Sequence, residues 1–305
     1  MDLIISFWSG LMHNREFMKY VMILFNIAFP IYVFVACSRY SLREIADEIQ
    51  QKWKLIIKVI ALTALIIPLV AVAVVKGLNV NYTLAVIMLI ASTAPGDPFD
   101  LVETSGKKGN LLLAAALMAV LALTMPLTVP CWMWIFGQWF DLKMIVAPLG
   151  IFHAVGSKMI PPLILGVFCH WLFPNFTVKV ADILHKIFII VAGLLVILFL
   201  PAAINHIIFR FGLNGIIAMI IVTTFTAAAG YFLGAQDRQD RIGTALVVSL
   251  GNVAAVLFVT VQCLPKMMSL DFFFTVLGWI IVRWAIIWGC YFLMKHIMKV
   301  KGQTV

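Results

Sequence analysis

Long apolar runs separated by short polar segments define the predicted elements of this chain. A helix needs about 20 mostly apolar residues to cross a bilayer, and runs of that length predict nine spans. Residues 1–12 are too short for a span and, with Phe7 and Trp8, predict an interfacial segment. The nine spans lie near residues 17–37, 55–75, 82–105, 109–136, 144–172, 182–204, 213–234, 242–264 and 272–294.

The third run contains residues that interrupt a helix. Pro95 lacks a backbone donor and Gly96 loosens the chain, so a straight helix should stop here. Asp97 then fits an N-cap, with Pro98 at the first helical position and Asp100 in the first turn. We therefore expect a second half-helix to start within this span.

The eighth run has a weaker break at residues 249–252, which read Ser-Leu-Gly-Asn. The chain approaches this break from the side opposite to the first. Two interrupted spans of opposite direction are typical of inverted-repeat secondary transporters. Free backbone groups at mid-membrane are tolerated only where they line a cavity or are buried in protein, so a shared cavity is expected.

Composition supports a membrane protein. Of 305 residues, 64% are hydrophobic and 11% are charged, against roughly 25% charged in soluble domains. The net charge of +9 is spread between the apolar runs, which argues against a nucleic-acid surface. The cysteines and histidines have no metal-ligand spacing, and no metal is expected.

The basic residues predict the orientation of the chain. With nine spans, twelve lysines and arginines fall on one side of the bilayer and six on the other. The positive-inside rule then places the N-terminus outside and the C-terminus in the cytoplasm. The sequence shows no cleavable signal layout, and a plasma membrane or bacterial inner membrane is expected.

Four ionisable residues lie inside apolar runs or at the first break: Asp97, Asp100, Lys158 and Arg283. A charge at the bilayer centre costs about 3 kcal/mol or more, so each needs a partner or a wet cavity. One hypothesis is that Lys158, Arg283 or both provide positive charge to the carboxylates at the break. Such a pairing could tune a carboxylate pKa and make the site proton-dependent.

Structural roles are open alternatives for the same residues. Asp97 and Asp100 fit a helix cap and a helix-dipole contact. Lys158 and Arg283 can extend their charged heads towards the interface or make a structural contact with a backbone carbonyl. Asn252 fits either a substrate hydrogen bond or a simple cap at the second break.

Several segments resemble the bile acid:sodium symporter family. Residues 91–96 read Ala-Ser-Thr-Ala-Pro-Gly, residues 107–110 read Lys-Lys-Gly-Asn, and the following apolar helix contains Pro126 and Pro130. At 251–253 the chain reads Gly-Asn-Val, where that family has a segment ending in Gln-Asn. The resemblance covers nearly the whole chain. In its number of spans the chain is similar to the family members with nine spans.

The resemblance implies one transmembrane domain over residues 1–305: an all-α inverted-repeat bundle in which two broken helices cross at mid-membrane. The implied parts are a core, about 55–136 and 213–294 with crossover helices 82–105 and 242–264, and a panel, about 17–37 and 144–204.

The chain departs from this family where oxygen ligands for sodium are expected. Val247 replaces the acidic residue and Gly251 replaces the glutamine, while Asn252 stays in register. Valine and glycine side chains offer no oxygen to a hard cation. The sequence therefore gives little support to sodium coupling, and proton coupling is an open alternative.

The predicted function is a secondary active transporter of a small organic solute, most consistent with an organic anion, that works by alternating access. A ligand sensor that does not transport and a membrane-embedded lipid-modifying enzyme are the alternatives. The expected partners are a small solute and membrane lipid, with no nucleic acid, and the protein is either a monomer or a homodimer. The candidate site residues are Thr93, Gly96, Asp97, Asp100, Lys158, Ser249, Asn252 and Arg283.

Overall fold

A computed structural model of the chain describes residues 27, 30–31, 33–35, 37–96, 104, 107–140, 148–234, 237–249, 251–264 and 270–300. Within these ranges the regular structure is helical, and an isolated antiparallel bridge joins Pro95 to Gly251. The all-α character predicted from the sequence is confirmed for this part of the chain. The interfacial segment 1–12 and both Asp97 and Asp100 lie outside the described residues.

The helices are numbered here in chain order. Short π-helical stretches at Leu62–Ile66 and Ile207–Phe211 continue α2 into α3 and α7 into α8. The helices are α1 Leu42–Gln51, α2 Trp53–Ala61, α3 Ile67–Gly77, α4 Tyr82–Thr93, α5 Leu111–Trp139, α6 Pro148–Leu172, α7 Pro174–His206, α8 Gly212–Leu233, α9 Arg238–Ser249, α10 Val253–Cys263 and α11 Leu270–Val300.

Four helical stretches among the described residues are long and apolar enough to cross a bilayer: Trp53–Gly77, Leu111–Trp139, Ala203–Leu233 and Asp271–Phe292. The total of nine spans stays a prediction.

Two helix boundaries differ from the predicted spans. Helix α7 begins at Pro174, earlier than the span predicted from residue 182. Its first turns are helical although they contain polar residues, which a search for apolar runs leaves out. Helix α1 was not predicted as an element. Its capping box, formed by Ser41 and Glu44, starts a short amphipathic helix that no search for apolar runs detects.

Helix α4 lies at the centre of the fold. Every residue from Leu84 to Thr93 is buried, as expected for a helix that is apolar on all sides. It packs against α3, α5, α10 and α11, while α9 packs along α8 and α5. The ends of α4 and α9 are thereby held inside protein, where an interrupted backbone is tolerated.

Helices α6 and α7 present large apolar side chains outward. Trp171, Phe173 and Phe176 are exposed at the turn between them, and Ile190 and Ile197 are exposed further along α7. A continuous apolar surface of this kind suits lipid rather than water. The described part of the chain therefore has the surface of a membrane-embedded protein.

Candidate functional site

The first break follows α4. The hydroxyls of Ser92 and Thr93 donate to the carbonyls of Leu89 and Ile90 at 2.6 and 2.8 Å, which closes the last turn. Gly96 then takes a φ of 81°, in the left-handed region that favours glycine. The predicted interruption at Pro95 and Gly96 is thus present.

The second break lies between α9 and α10. Ser249 ends α9 and its hydroxyl donates to Leu246 O at 3.2 Å. Asn252 is the N-cap of α10, and its Oδ1 accepts from Ala255 N at 2.9 Å. The sequence placed this break correctly, and the cap explains how a new helix can begin there.

The two breaks meet and exchange backbone hydrogen bonds. Asn252 N donates to Ala94 O at 2.7 Å, and Gly96 N donates to Val247 O at 3.2 Å. The side-chain amide of Asn252 also donates to Gly96 O at 3.1 Å. Backbone groups freed by the interruptions are therefore satisfied across this crossover, which we define as residues 94–96 with 251–252.

The close approach of the two interrupted segments requires glycine at position 251. A Cβ atom at this position would lie 2.7 Å from Ala91 O and 2.9 Å from Ala91 Cβ. A larger side chain at this position has no room in this arrangement. Glycine therefore allows the backbones of the two breaks to touch.

Arg283 of α11 brings a positive charge to the crossover. Its Nη1 donates to Gly251 O at 2.8 Å, and the side chain is buried. The guanidinium also lies 4.2 Å from the ring centroid of Trp279, one turn earlier on the same helix. The sequence singled out Arg283, and the carbonyl contact that was its structural alternative is present, with Gly251 O as one of its partners.

A cavity of about 40 Å³ lies beside the crossover. Arg283 forms part of its wall, together with hydroxyl-bearing and apolar side chains. A water molecule needs roughly 10–15 Å³ in this measure, so the space suits a few waters or a very small ligand. The residues lining it that matter here are Ser92, Thr223, Thr226, Ser249, Trp279 and Arg283.

The remaining candidates are placed differently. Thr93 is buried at the end of α4, and Gly96 and Asn252 bond to each other across the crossover. Lys158 lies within α6, but its side chain is not among those described. Asp97 and Asp100 follow the first break in sequence, so their proposed pairing with Lys158 or Arg283 stays a prediction.

A second polar cluster was missed at the sequence level. Lys52 Nζ lies 2.6 Å from Asp240 Oδ2 and 3.0 Å from Glu48 Oε1, and both carboxylates are largely buried. Asn110, the N-cap of α5, donates to Asp240 Oδ1 at 2.8 Å. We call these four residues the basal cluster. The available signal was the Glu48 and Lys52 pair, four residues apart on one face of a helix.

The basal cluster joins the end of α1 to the starts of α5 and α9. Burial lowers the pKa of Lys52, but its hydrogen bonds to Asp240 and Glu48 outweigh that effect and leave the pKa raised. The lysine therefore stays charged while its partners are ionised. The start of α9, whose other end reaches the crossover, is fixed by this charge.

Another buried cation lies before α5. Lys107 Nζ is 4.1 Å from the ring centroid of Trp288 and 5.5 Å from that of Tyr291, both on α11. Burial lowers the pKa of Lys107 to about 8. These contacts hold α11, the helix that carries Arg283, against the segment before α5.

Comparison with known families identifies the group to which this arrangement belongs. A model described as the Sodium Bile acid symporter family matches residues 21–210, more than half of the chain. The chain belongs to the sodium bile acid symporter family. The matched range contains the first break, whereas the second break and Arg283 lie beyond it.

A curated relative of this family member is the "Uncharacterized sodium-dependent transporter YocS" of Bacillus subtilis (strain 168). It is 28% identical over 140 residues, which are 46% of this chain and 41% of the relative. The match thus spans less than half of the relative's length. The description of the family and the name of the relative both refer to transport.

Proposed function

We propose that this family member is a secondary active transporter that binds a small organic anion at the crossover and exposes it alternately to each side of the membrane. The observation that carries the proposal is Arg283, whose guanidinium bonds to Gly251 O at 2.8 Å and lines the crossover cavity. Both broken segments end at this point, which is where transporters built on interrupted helices bind their solutes.

The chemistry of the cavity favours an anion. Arginine stays protonated under all physiological conditions and its planar fork matches carboxylate, sulfonate or phosphate oxygens. The hydroxyls of Ser249 and Thr226 donate to Leu246 O and Thr223 O, so they make the wall polar without adding free donors, and Trp279 adds an apolar wall. A solute with one acidic head and a small apolar body suits these walls best.

The size of the cavity supports a mechanism with more than one state. About 40 Å³ holds a few waters, so most organic anions would require the surrounding helices to separate. Opening towards one side at a time is the movement that alternating access requires.

The names of the family and of the relative both include sodium. At the described crossover positions 247 and 251, however, this chain offers no side-chain oxygen as a ligand for it. Val247 is buried and apolar, and Gly251 has no side chain. Two unit positive charges about 5 Å apart repel by roughly 3 kcal/mol at an effective dielectric of about 20, so the buried Arg283 guanidinium disfavours a sodium ion beside it. Asp97 and Asp100 remain the candidates for a coupling proton.

The remaining predictions belong to the same proposal. We place the protein in a plasma membrane or bacterial inner membrane, with the N-terminus outside and the C-terminus in the cytoplasm. Its partners are the solute and the surrounding lipid. The core and panel division and the inverted repeat are the architecture that we propose for the transport cycle.

The test is binding and uptake by the purified protein. Trp279 lies next to Arg283, so tryptophan fluorescence can report binding of lactate, succinate or taurocholate in detergent. The same radiolabelled anions are then offered to liposomes that contain the protein. We expect at least one of them to bind saturably and to enter the liposomes faster than in protein-free controls.

The Arg283→Met variant should bind the same anion about 10- to 100-fold more weakly, because a charge-assisted hydrogen bond contributes about 1.5–3 kcal/mol. The affinity of Arg283→Lys should lie between that of the unaltered protein and that of Arg283→Met, since lysine keeps the charge and loses the planar fork of the guanidinium. Arg210→Met is the matched control, because Arg210 pairs with Asp271 in an exposed ion pair.

Four outcomes decide between the candidate functions. Uptake that is lost in Arg283→Met but kept in Arg210→Met supports the proposal. Saturable binding without any uptake identifies a sensor, and chemical turnover of a lipid substrate identifies an enzyme. If Arg283→Met and Arg210→Met bind the anion with equal affinity, Arg283 does not belong to the binding site.

A further inference from the structure

Helices α4 and α9 both direct their carboxyl ends at the crossover. A helix carboxyl end carries a partial negative charge from its last carbonyls. In transporters with broken helices, such ends and the unwound carbonyls bind the coupling cation. Helix α10 begins at the same place, and its amino end offsets one of the two carboxyl ends. The described crossover therefore keeps a net negative potential that a cation should balance.

In this chain a side chain provides that cation. Arg283 Nη1 donates to the carbonyl of Gly251, the residue paired with Pro95 across the two breaks. The guanidinium is buried, lies against Trp279, and is tied to the protein through α11. Its charge does not depend on pH, because an arginine in a protein does not lose its proton.

We infer that Arg283 is a built-in counter-cation, so that the transporter moves its organic anion without a co-transported sodium ion or proton. This inference rests on the proposed function and changes its driving force: the transport is uniport driven by the membrane potential, in place of secondary transport coupled to sodium or to a proton. The guanidinium remains with the protein when the solute leaves. Each cycle then moves the charge of the anion alone across the membrane.

The direction of net transport follows from this charge. One elementary charge moved through 100 mV corresponds to a concentration ratio of about 50-fold. A membrane that is negative inside therefore drives a monovalent anion outward. A sodium-coupled member would use its cation to draw the anion inward, whereas this member is assigned to release anions from the cell.

Two carboxylates next to the first break bear on this assignment. Asp97 and Asp100 follow Gly96 directly in sequence and lie outside the described residues. A proton carried by either of them would cancel the charge of the anion. The experiment must therefore separate an electrical driving force from a proton gradient.

The test uses liposomes that contain the full chain, with potassium and valinomycin to set the membrane potential. The probe is whichever of labelled lactate, succinate or taurocholate the purified protein transports. With equal pH on both sides, we expect faster initial uptake and about 50-fold accumulation of a monovalent probe at 100 mV, inside positive. Replacing sodium by choline should leave the rate unchanged, and Arg210→Met should behave as the unaltered protein.

A second measurement needs no solute. Binding of labelled sodium to the purified protein should show no saturable component, in the unaltered chain and in Arg210→Met. Saturable sodium binding, or uptake that requires a sodium gradient, overturns the inference. Uptake that responds to a proton gradient and not to potential overturns it as well. Absence of uptake for every probe under every gradient defeats the proposed function instead.

Discussion

Gly251 shows how one missing side chain shapes the crossover. The backbone of α4 comes so close that an added Cβ would lie 2.7 Å from Ala91 O, a backbone atom that cannot turn away. The residue also forms the bridge to Pro95 and accepts from Arg283. Three features of the site thus depend on a residue with no side chain of its own.

We expect Gly251→Ala to destabilise the protein by about 1–3 kcal/mol, because overpacking moves backbone or neighbouring side chains. Thermal unfolding in detergent, followed by the loss of monodisperse protein, measures the effect. Gly193→Ala in α7 is the matched control, since nothing lies within 4 Å of an added Cβ there. Alanine in that helix should be neutral or stabilising by up to about 1 kcal/mol. Equal stability of the two variants would contradict the packing at Gly251.

Some residues of the site could be predicted from sequence, and their partners could not. Proline and glycine predict a helix break because proline removes a backbone donor and glycine loosens the chain, so the break at Pro95 and Gly96 could be predicted. Arg283 was found because a charge in an apolar run is costly. Its bond to Gly251 joins positions 32 residues apart, which no local pattern records.

The basal cluster is the main feature at the scale of elements. Lys52 and Asp240 are 188 residues apart in sequence and 2.6 Å apart in space. Together with Asn110 they hold the start of α9 against α1 and α5. The first half of the second broken helix is therefore fixed at its charged end, while its other end forms the crossover.

We expect Lys52→Met to destabilise the protein by about 3 kcal/mol, because Asp240 and Glu48 would remain buried without their cation. Arg210→Met removes an exposed pair and should cost about 0–1 kcal/mol. Thermal unfolding of both variants in the same detergent gives the comparison. The double variant Lys52→Met with Asp240→Asn should recover part of the loss. Strictly additive effects of the two changes would show that the pair does not interact.

At this scale the sequence predicted apolar elements well and polar ones poorly. Helices α5 and α8 lie close to their predicted spans because hydropathy alone defines a membrane helix. Helix α1 and the early start of α7 were missed because capping and polar turns also make helices. The crossover arises from pairing between distant segments, and only its two breaks were visible beforehand.

At the scale of the whole molecule, the described helices form a protein core around α4 with an apolar outer face on α6 and α7. Membership in the sodium bile acid symporter family agrees with this arrangement. The crossover contains a buried arginine, and neither Val247 nor Gly251 offers a side-chain oxygen there. A buried positive charge beside the two breaks is the feature from which the proposed function follows.

The central claim is that two interrupted helices meet inside the membrane and present Arg283 to an anionic solute. An electron cryomicroscopy map of the protein in lipid nanodiscs, with the transported anion bound, tests it most directly. We expect both helices to break at Gly96 and Gly251, with solute density about 3 Å from the Arg283 guanidinium. Unbroken helices through both glycines, or solute density away from Arg283, would contradict the account.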